Sequence, residues 1–129
     1  MTPFSVCIPA AGIGRRMGAD MPKQYLPLLG IPVIAHTIAA FDALEECMEI
    51  ILAVDDEAAA RAALDGITTR APLRLLRGGT RRQDSVANAI AAVEDDNRIV
   101  LVHDAARPCV TAAQIRAVAR AAADHGAAL

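Results

Sequence analysis

The chain has 129 residues, of which 54% are hydrophobic, and a formal net charge of −2. This size and apolar content fit one compact domain with a single core. No apolar stretch approaches the roughly 20 residues of a membrane span, and the first residues lack the basic region of a signal peptide, so we expect a soluble, cytoplasmic protein. The negative net charge, with only two phenylalanines and one tyrosine to stack on bases, argues against nucleic acid as a partner.

The first third of the chain contains a strand and a helix separated by a proline-rich segment. Residues 4–9 are apolar and run into Ala10, Ala11 and Gly12, which predicts a buried strand that ends in a glycine loop. Prolines at positions 22, 27 and 32 exclude one regular helix, so this segment is predicted to be extended or turned. Helix is expected to resume over residues 34–44.

Strands and helices then alternate to the end of the chain. The pattern predicts strands at 49–54, 73–76 and 98–103, and helices at 57–64, 83–93 and 112–124. Nearly continuous apolar strands that alternate with helices are typical of a parallel sheet covered on both faces. The predicted fold class is therefore α/β, a three-layer sandwich with a mostly parallel sheet.

The carboxyl end has the features of an interrupted element. Gly126 is predicted to cap the last helix, and residues 127–129 resemble the opening of another strand. We therefore expect residues 1–129 to be part of a single domain that is truncated at its carboxyl end.

The three cysteines, Cys7, Cys47 and Cys109, are widely spaced and form no C-x-x-C pair. Their odd number and spacing fit neither a disulfide framework nor a zinc site. All three are expected to be small buried side chains.

The glycine loop after the first predicted strand has the sequence Gly12-Ile-Gly-Arg-Arg-Met-Gly18. It is not a dinucleotide fingerprint, because Met17 stands where the third glycine is needed, and it lacks the G-K-[ST] of a P-loop. What remains is a strand-to-loop turn whose backbone N–H groups can approach a triphosphate.

Cationic side chains accompany this loop. Of the 13 basic residues only Lys23 is a lysine, and it directly follows Pro22, whereas Arg16 lies within the loop. Preorganised cations at these positions would stabilise the negative charge that develops in phosphoryl transfer. The alternative is that Arg15, Arg16 and Lys23 form a solvated loop face.

Three blocks of sequence resemble one enzyme family. They are Pro9-Ala-Ala-Gly-Ile-Gly-Arg-Arg-Met17 with Pro22-Lys-Gln-Tyr-Leu26, then Gly78-Gly-Thr-Arg-Arg-Gln-Asp-Ser-Val86 with Asn88, and finally Val102-His-Asp-Ala-Ala-Arg-Pro108. In this order they resemble the 2-C-methyl-D-erythritol 4-phosphate cytidylyltransferases. The blocks are spread from Pro9 to Pro108, over most of the length of the chain, and are more specific together than any single glycine loop.

The resemblance implies a Rossmann-like nucleotidyltransferase fold, with residues 1–129 as its nucleotide-binding part. It also implies transfer of CMP from CTP to 2-C-methyl-D-erythritol 4-phosphate, a sugar-alcohol phosphate, with release of pyrophosphate, in non-mevalonate isoprenoid synthesis. Mg²⁺ would be the cofactor. Full-length enzymes of the family continue beyond this point with a projecting arm that mediates dimerisation, so a homodimer is expected for the full-length enzyme.

The resemblance also implies roles for individual residues. The residues that would bind the triphosphate of the nucleotide are Pro9, Ala10, Ala11, Gly12, Gly14 and Arg15. The catalytic cations would be Arg16 and Lys23. Gly79 and Ser85 would recognise the cytosine. Asp104 would bind Mg²⁺, and Arg107 would bind the phosphate of the second substrate. Thr80 stands where some members carry an acid.

Other roles for these side chains remain open from the sequence. Asp104 lies at the carboxyl end of a predicted strand, where ligands bind in open α/β folds, but it could instead cap the next element. Ser85 could be a helix N-cap, and Arg81, Arg82 and Arg107 could be surface charges. His103 is predicted to point away from Asp104 and to be a packed structural residue.

Two other functions compete with this interpretation. Ribitol-5-phosphate cytidylyltransferases have a similar loop and lysine, but Pro9-Ala-Ala-Gly12 and Asp104-Ala-Ala-Arg107 favour methylerythritol phosphate. A non-catalytic CTP-binding module is the alternative outside the enzymes.

Overall fold

The computed structural model describes residues 1–11 and 22–129. The strands are β1 (Phe4–Pro9), β2 (Pro27–Leu28), β3 (Ile31–Pro32), β4 (Cys47–Val54), β5 (Leu73–Arg77) and β6 (Ile99–Val102). In this described part of the chain, four of them form a parallel central sheet in the order β5-β4-β1-β6, and β2 and β3 form a small antiparallel hairpin. The helices are α1 (Val33–Asp42), α2 (Glu57–Ala63), α3 (Arg82–Ala91) and α4 (Ala112–His125). A short 3-10 helix occupies Lys23–Tyr25.

Alternate side chains of β1 face opposite layers of the structure. Phe4, Val6 and Ile8 belong to the main core, which also includes buried residues of α1, α2 and α4. Cys7 points to the other face and packs in a smaller cluster with Ala89 of α3. Helices therefore cover both faces of the parallel sheet, and the predicted three-layer α/β sandwich is confirmed.

Each predicted strand and helix from residue 4 to residue 125 begins and ends within two residues of the observed element. Proline-rich residues 22–32 form the 3-10 helix and the hairpin rather than one helix, as expected. Gly126 caps α4 with a left-handed φ of 85°, a conformation that glycine adopts without steric cost. The expected strand at 127–129 was wrong, because these residues adopt no regular structure and pair with no strand.

The cysteine prediction is confirmed for two of three residues. Cys7 and Cys47 are buried in the sheet, but Cys109 is exposed in the loop between β6 and α4. Local composition could not distinguish Cys109, because its exposure depends on how that loop lies on the sheet. In the described part of the chain, no helix combines the length and apolar character needed to cross a membrane.

Candidate active site

The predicted functional blocks meet at the carboxyl edge of the sheet. The chain passes from β1 to β4 and β5 on one side and returns to β6 on the other side of β1. Such a reversal of strand order opens a crevice at the carboxyl ends of the strands, the usual ligand site of open α/β sheets. Ala10 and Ala11 follow β1, and Asp104 comes two residues after β6, so both lie at this crevice.

The loop after β1 contacts the turn after β5. The Gly78 N–H donates to the Val54 carbonyl at 2.8 Å. This bond continues the pairing of the two chain segments by one residue beyond the end of β5. A Cβ on Gly78 would lie 2.7 Å from the Ala11 Cβ and 2.6 Å from the Ser85 hydroxyl. Glycine at this position therefore allows two site loops to meet over β4.

Ser85 fixes the shape of the glycine turn. Its side chain is buried, and its hydroxyl accepts a hydrogen bond from the Gly79 N–H at 3.0 Å. It is not the N-cap of α3, because that helix begins after Arg81 and the Asp84 carboxylate accepts from the Arg81 N–H. The alternative N-cap role for Ser85 was therefore wrong.

Asp104 is held by two arginines. One carboxylate oxygen lies 2.6 Å from Nη2 of Arg82, and the other lies 2.9 Å from Nε of Arg107. The hydrogen bond from Arg82, opposed by partial burial and assisted by the charges of both arginines, lowers the pKa of Asp104 below its ordinary value. The carboxylate is therefore ionised at neutral pH, as a metal ligand must be.

His103 has a structural role. Its Nε2 hydrogen-bonds the Arg107 carbonyl at 2.9 Å, and its ring meets that of Phe41 edge-on with centroids 5.1 Å apart. These contacts confirm the sequence prediction of a packed, hydrogen-bonded histidine.

Lys23 lies in the 3-10 helix, which is attached to the end of β1. The next residue, Gln24, is buried and donates from Nε2 to the Ala10 carbonyl at 2.8 Å. Lys23 itself is half-buried. The segment that carries the predicted catalytic lysine is thus tied to the residue that opens the glycine loop.

Comparisons with known proteins agree with the three blocks. The family model for 2-C-methyl-D-erythritol 4-phosphate cytidylyltransferase matches residues 4–129. The chain belongs to this family. The enzyme of that name from Symbiobacterium thermophilum is 48% identical over 125 residues, which are 97% of this chain and 52% of the relative. The chloroplastic enzyme of that name from Oryza sativa subsp. japonica is 39% identical over 127 residues, which are 97% of this chain and 42% of the relative.

A solved cytidylyltransferase of the family supports the fold. The structure of the enzyme from Thermus thermophilus is 32% identical, with a TM-score of 0.69, and the match covers 98% of this chain and 52% of that one. The Rossmann-like nucleotidyltransferase fold is thereby confirmed. The chain spans about half the length of the curated cytidylyltransferases it matches.

The predicted cytidylyltransferase site divides into described and undescribed parts. Gly12, Gly14, Arg15 and Arg16 lie outside the described residues. The remaining candidates lie at the end of β1, in the segments that follow β1, β5 and β6, in the first turns of α3 or in the 3-10 helix; they are Pro9, Ala10, Ala11, Lys23, Gly79, Ser85, Asp104 and Arg107.

Two residues of the site were missed as functional candidates by sequence reasoning. Arg82 was interpreted as a surface charge, yet it bonds Asp104 across the crevice. Gln24 was not singled out, although it is buried and bonds the Ala10 carbonyl just after β1. Both residues lie inside the blocks that carry the family resemblance. Their position in those blocks was the only sequence signal that could have indicated a role in the site.

Proposed function

We propose that this protein transfers CMP from CTP to 2-C-methyl-D-erythritol 4-phosphate and releases pyrophosphate. The observation that carries the proposal is the convergence of the described parts of the three family blocks at one crevice, on a chain that belongs to the cytidylyltransferase family. The curated relatives named here bear this activity in their names. The homodimer expected from the resemblance and the cytoplasmic location expected from the sequence are part of the same proposal.

The nucleotide would lie between the loop after β1 and the turn after β5. Pro9, Ala10 and Ala11, with Gly12, Gly14 and Arg15, would surround the triphosphate. Gly78 and Gly79 let the turn after β5 pack closely against Ala11, Ser85 and Asp84, and the Ser85 hydroxyl holds the Gly79 N–H in place. Cytosine presents both a donor and acceptors on its edge, so backbone groups and a hydroxyl suffice to recognise it.

The reaction would be a direct, in-line displacement. A phosphate oxygen of the second substrate attacks the α-phosphorus of CTP, the new P–O bond forms, and the bond to the β-phosphate breaks to release pyrophosphate. No covalent enzyme intermediate is needed, so the protein contributes positioning and charge stabilisation. Lys23 and Arg16 would stabilise the charge on the transition state and the leaving group.

Mg²⁺ would be held by Asp104 together with phosphate oxygens of the nucleotide. The Asp104 carboxylate is ionised, which fits a hard cation, and Mg²⁺ would replace at least one of its two arginine contacts. Within residues 1–11 and 22–129 no three acidic, histidine or cysteine side chains cluster as a ready metal cage. Mg²⁺ is usually held by one or two protein carboxylates together with oxygen ligands from the phosphates of the substrate. The bound ion would neutralise negative charge on those phosphates.

Arg107 would bind the phosphate of the second substrate. Its Nε contacts Asp104, and its side chain is 76% exposed, so the guanidinium remains accessible to a ligand. A guanidinium can bind a phosphate through two parallel hydrogen bonds.

The test is pyrophosphate release from Mg²⁺ and CTP, with methylerythritol 4-phosphate or ribitol 5-phosphate as acceptor. Release with the first acceptor alone would support the proposal. Release with ribitol 5-phosphate alone would assign the related activity instead. CTP binding without release for either acceptor would favour a non-catalytic CTP-binding module.

A further inference from the structure

Gln24 is a buried amide with one unsatisfied atom. Its side chain is 1% exposed, and its Nε2 donates to the Ala10 carbonyl. Its Oε1 is buried and has no hydrogen-bond partner among the described residues. A buried polar atom without a partner destabilises a fold, whereas the bond from Nε2 to the Ala10 carbonyl stabilises it and fixes the direction of the amide.

The bond from Gln24 joins two elements of the candidate site. Ala10 is anchored to the sheet because its N–H donates to the Ala53 carbonyl at 2.7 Å. Gln24 occupies the middle of the 3-10 helix that begins at Lys23. The amide therefore fixes the backbone next to Lys23 relative to the last anchored residue before the glycine loop.

Among the described residues, the rest of the 3-10 helix is held by local bonds, by apolar contacts and by the Val33 N–H, which donates to the Leu26 carbonyl at 2.9 Å. The Tyr25 N–H donates to the Pro22 carbonyl and the Leu26 N–H to the Lys23 carbonyl, so both bonds stay within the segment. Tyr25 packs against the main core as a partly buried residue. Such packing keeps the segment on the sheet, whereas the directional bond from Gln24 defines where it lies along the end of β1.

We propose that Gln24 is a positioning residue that acts through Lys23, setting its ammonium group against the β- and γ-phosphates of CTP. The inference rests on the proposed function, because it needs the nucleotide to occupy the crevice. Without the Gln24 bond, the backbone next to Lys23 would lose its hydrogen bond to the end of β1. The affinity for a triphosphate would then fall, and the affinity for a monophosphate, which lacks the β- and γ-phosphates, would not.

The experiment compares dissociation constants for CTP and CMP, with Mg²⁺, in four proteins. These are the unaltered chain, Gln24→Met, Lys23→Met and the double variant. We expect Gln24→Met to weaken CTP binding about tenfold, the effect of losing one charge-assisted contact, and to leave CMP binding unchanged. In the Lys23→Met background, the same substitution should have no further effect on CTP binding, because residues that act through each other are not additive.

The matched control is Gln114→Met. The Gln114 side chain also bonds a backbone group, the Thr111 N–H at 2.9 Å, but it does so at the start of α4. This variant should retain both affinities.

The possible results separate the two proposals. Equal loss of CTP and CMP affinity in Gln24→Met, or a full effect of Gln24→Met in the Lys23→Met background, would show a general structural role and overturn the inference. An unaltered chain that binds neither nucleotide would contradict the proposed function itself, and the inference would fall with it.

A second variant keeps the test available if Gln24→Met does not fold. Gln24→Glu has the same length, and its protonated carboxyl can donate to the Ala10 carbonyl whereas the ionised form cannot. Its preference for CTP over CMP, relative to the unaltered chain at the same pH, should therefore fall as the pH rises. A pH-independent relative preference would overturn the inference.

Discussion

Asp104 and Arg82 form an ion pair of 2.6 Å that joins the loop after β6 to the first turn of α3. The two residues are 22 positions apart in the sequence. The proposed base-recognition residues, Gly79 and Ser85, lie within three residues of Arg82 in the sequence. The pair therefore connects the proposed base site with the proposed metal ligand.

The first prediction concerns the pKa of Asp104, which lies below the ordinary 3.8 mainly because of the Arg82 hydrogen bond. We expect Arg82→Met to raise this pKa toward 3.8, as measured by carboxyl-carbon NMR titration. Since the folded-state pKa is depressed, the pair stabilises the fold above about pH 4 and this contribution is lost as the pH falls through the lowered pKa. Arg81→Met, which removes the exposed partner of Asp84, is the control and should leave Asp104 unchanged. An Asp104 pKa unaffected by Arg82→Met would contradict the assignment.

The second prediction concerns turnover. Lys23→Ala and Asp104→Ala should each reduce the rate of pyrophosphate release at least about 100-fold, because each removes charge stabilisation of the transition state or its metal. Circular dichroism should show an intact fold in both variants. Asp96→Ala, at an exposed position before β6, should retain full activity. An unchanged rate in Lys23→Ala or Asp104→Ala would remove that residue from the mechanism.

The third prediction tests the close contact at Gly78. A methyl group there would approach the Ser85 hydroxyl to 2.6 Å and the Ala11 Cβ to 2.7 Å, so two loops must separate. We expect Gly78→Ala to lower the free energy of unfolding by about 1–3 kcal/mol, the usual effect of overpacking, and to weaken CTP binding. Chemical denaturation and calorimetry measure the two effects. Thr80→Ala, an exposed neighbour, should change stability by less than about 0.5 kcal/mol. If Gly78→Ala has the same free energy of unfolding as the unaltered chain, the two loops can separate without cost and the close contact is unimportant.

The fourth prediction concerns the polar network around Glu49 at the opposite end of β4. Its carboxylate accepts hydrogen bonds from Ser5 at 2.8 Å and from Arg74 at 3.0 Å, and it pairs with Arg98 at 3.3 Å. Burial raises the pKa of Glu49, but the hydrogen bonds from Ser5, the Glu94 N–H and Arg74 outweigh this effect, so the pKa lies below 4.5.

Glu49→Gln should therefore lower the free energy of unfolding by about 3 kcal/mol, because it leaves Arg98 without its buried partner charge. The destabilisation should shrink as the pH falls through the lowered pKa of Glu49, since the ion pair is then lost in the unaltered chain as well. Urea denaturation at several pH values provides the measurement. Glu57→Gln breaks an exposed pair with Arg61 and should change stability by less than about 0.5 kcal/mol. A similar small effect at Glu49 would contradict the importance of the network.

The fifth prediction concerns thiol reactivity. Burial raises the pKa of Cys7 to about 11 and that of Cys47 to about 12, whereas Cys109 is exposed. A thiol reagent such as dithionitrobenzoate should modify one cysteine rapidly in the native protein and all three after denaturation. Cys109→Ser should abolish the rapid phase. A rapid phase that survives this substitution would show that a sheet cysteine becomes accessible.

The sequence alone determined the order and type of the main elements and the identity of the candidate site. Apolar runs such as residues 49–54 have the length of buried strands, and prolines at 22, 27 and 32 exclude a helix, because both signals act through local backbone preferences. The three blocks also identified Lys23, Ser85, Asp104 and Arg107 as candidates, because the blocks resemble those of the cytidylyltransferases.

Only the tertiary structure decided which side chains meet. The pairing of Arg82 with Asp104, the bond from Ser85 to the Gly79 N–H and the burial of Gln24 beside Ala10 all depend on how the loops after β1, β5 and β6 pack together. The exposure of Cys109 likewise has no local signal, since a cysteine in a loop is buried or exposed according to what covers it. Local sequence determines secondary structure through short-range backbone energetics, whereas these contacts are set by the order of strands in the sheet.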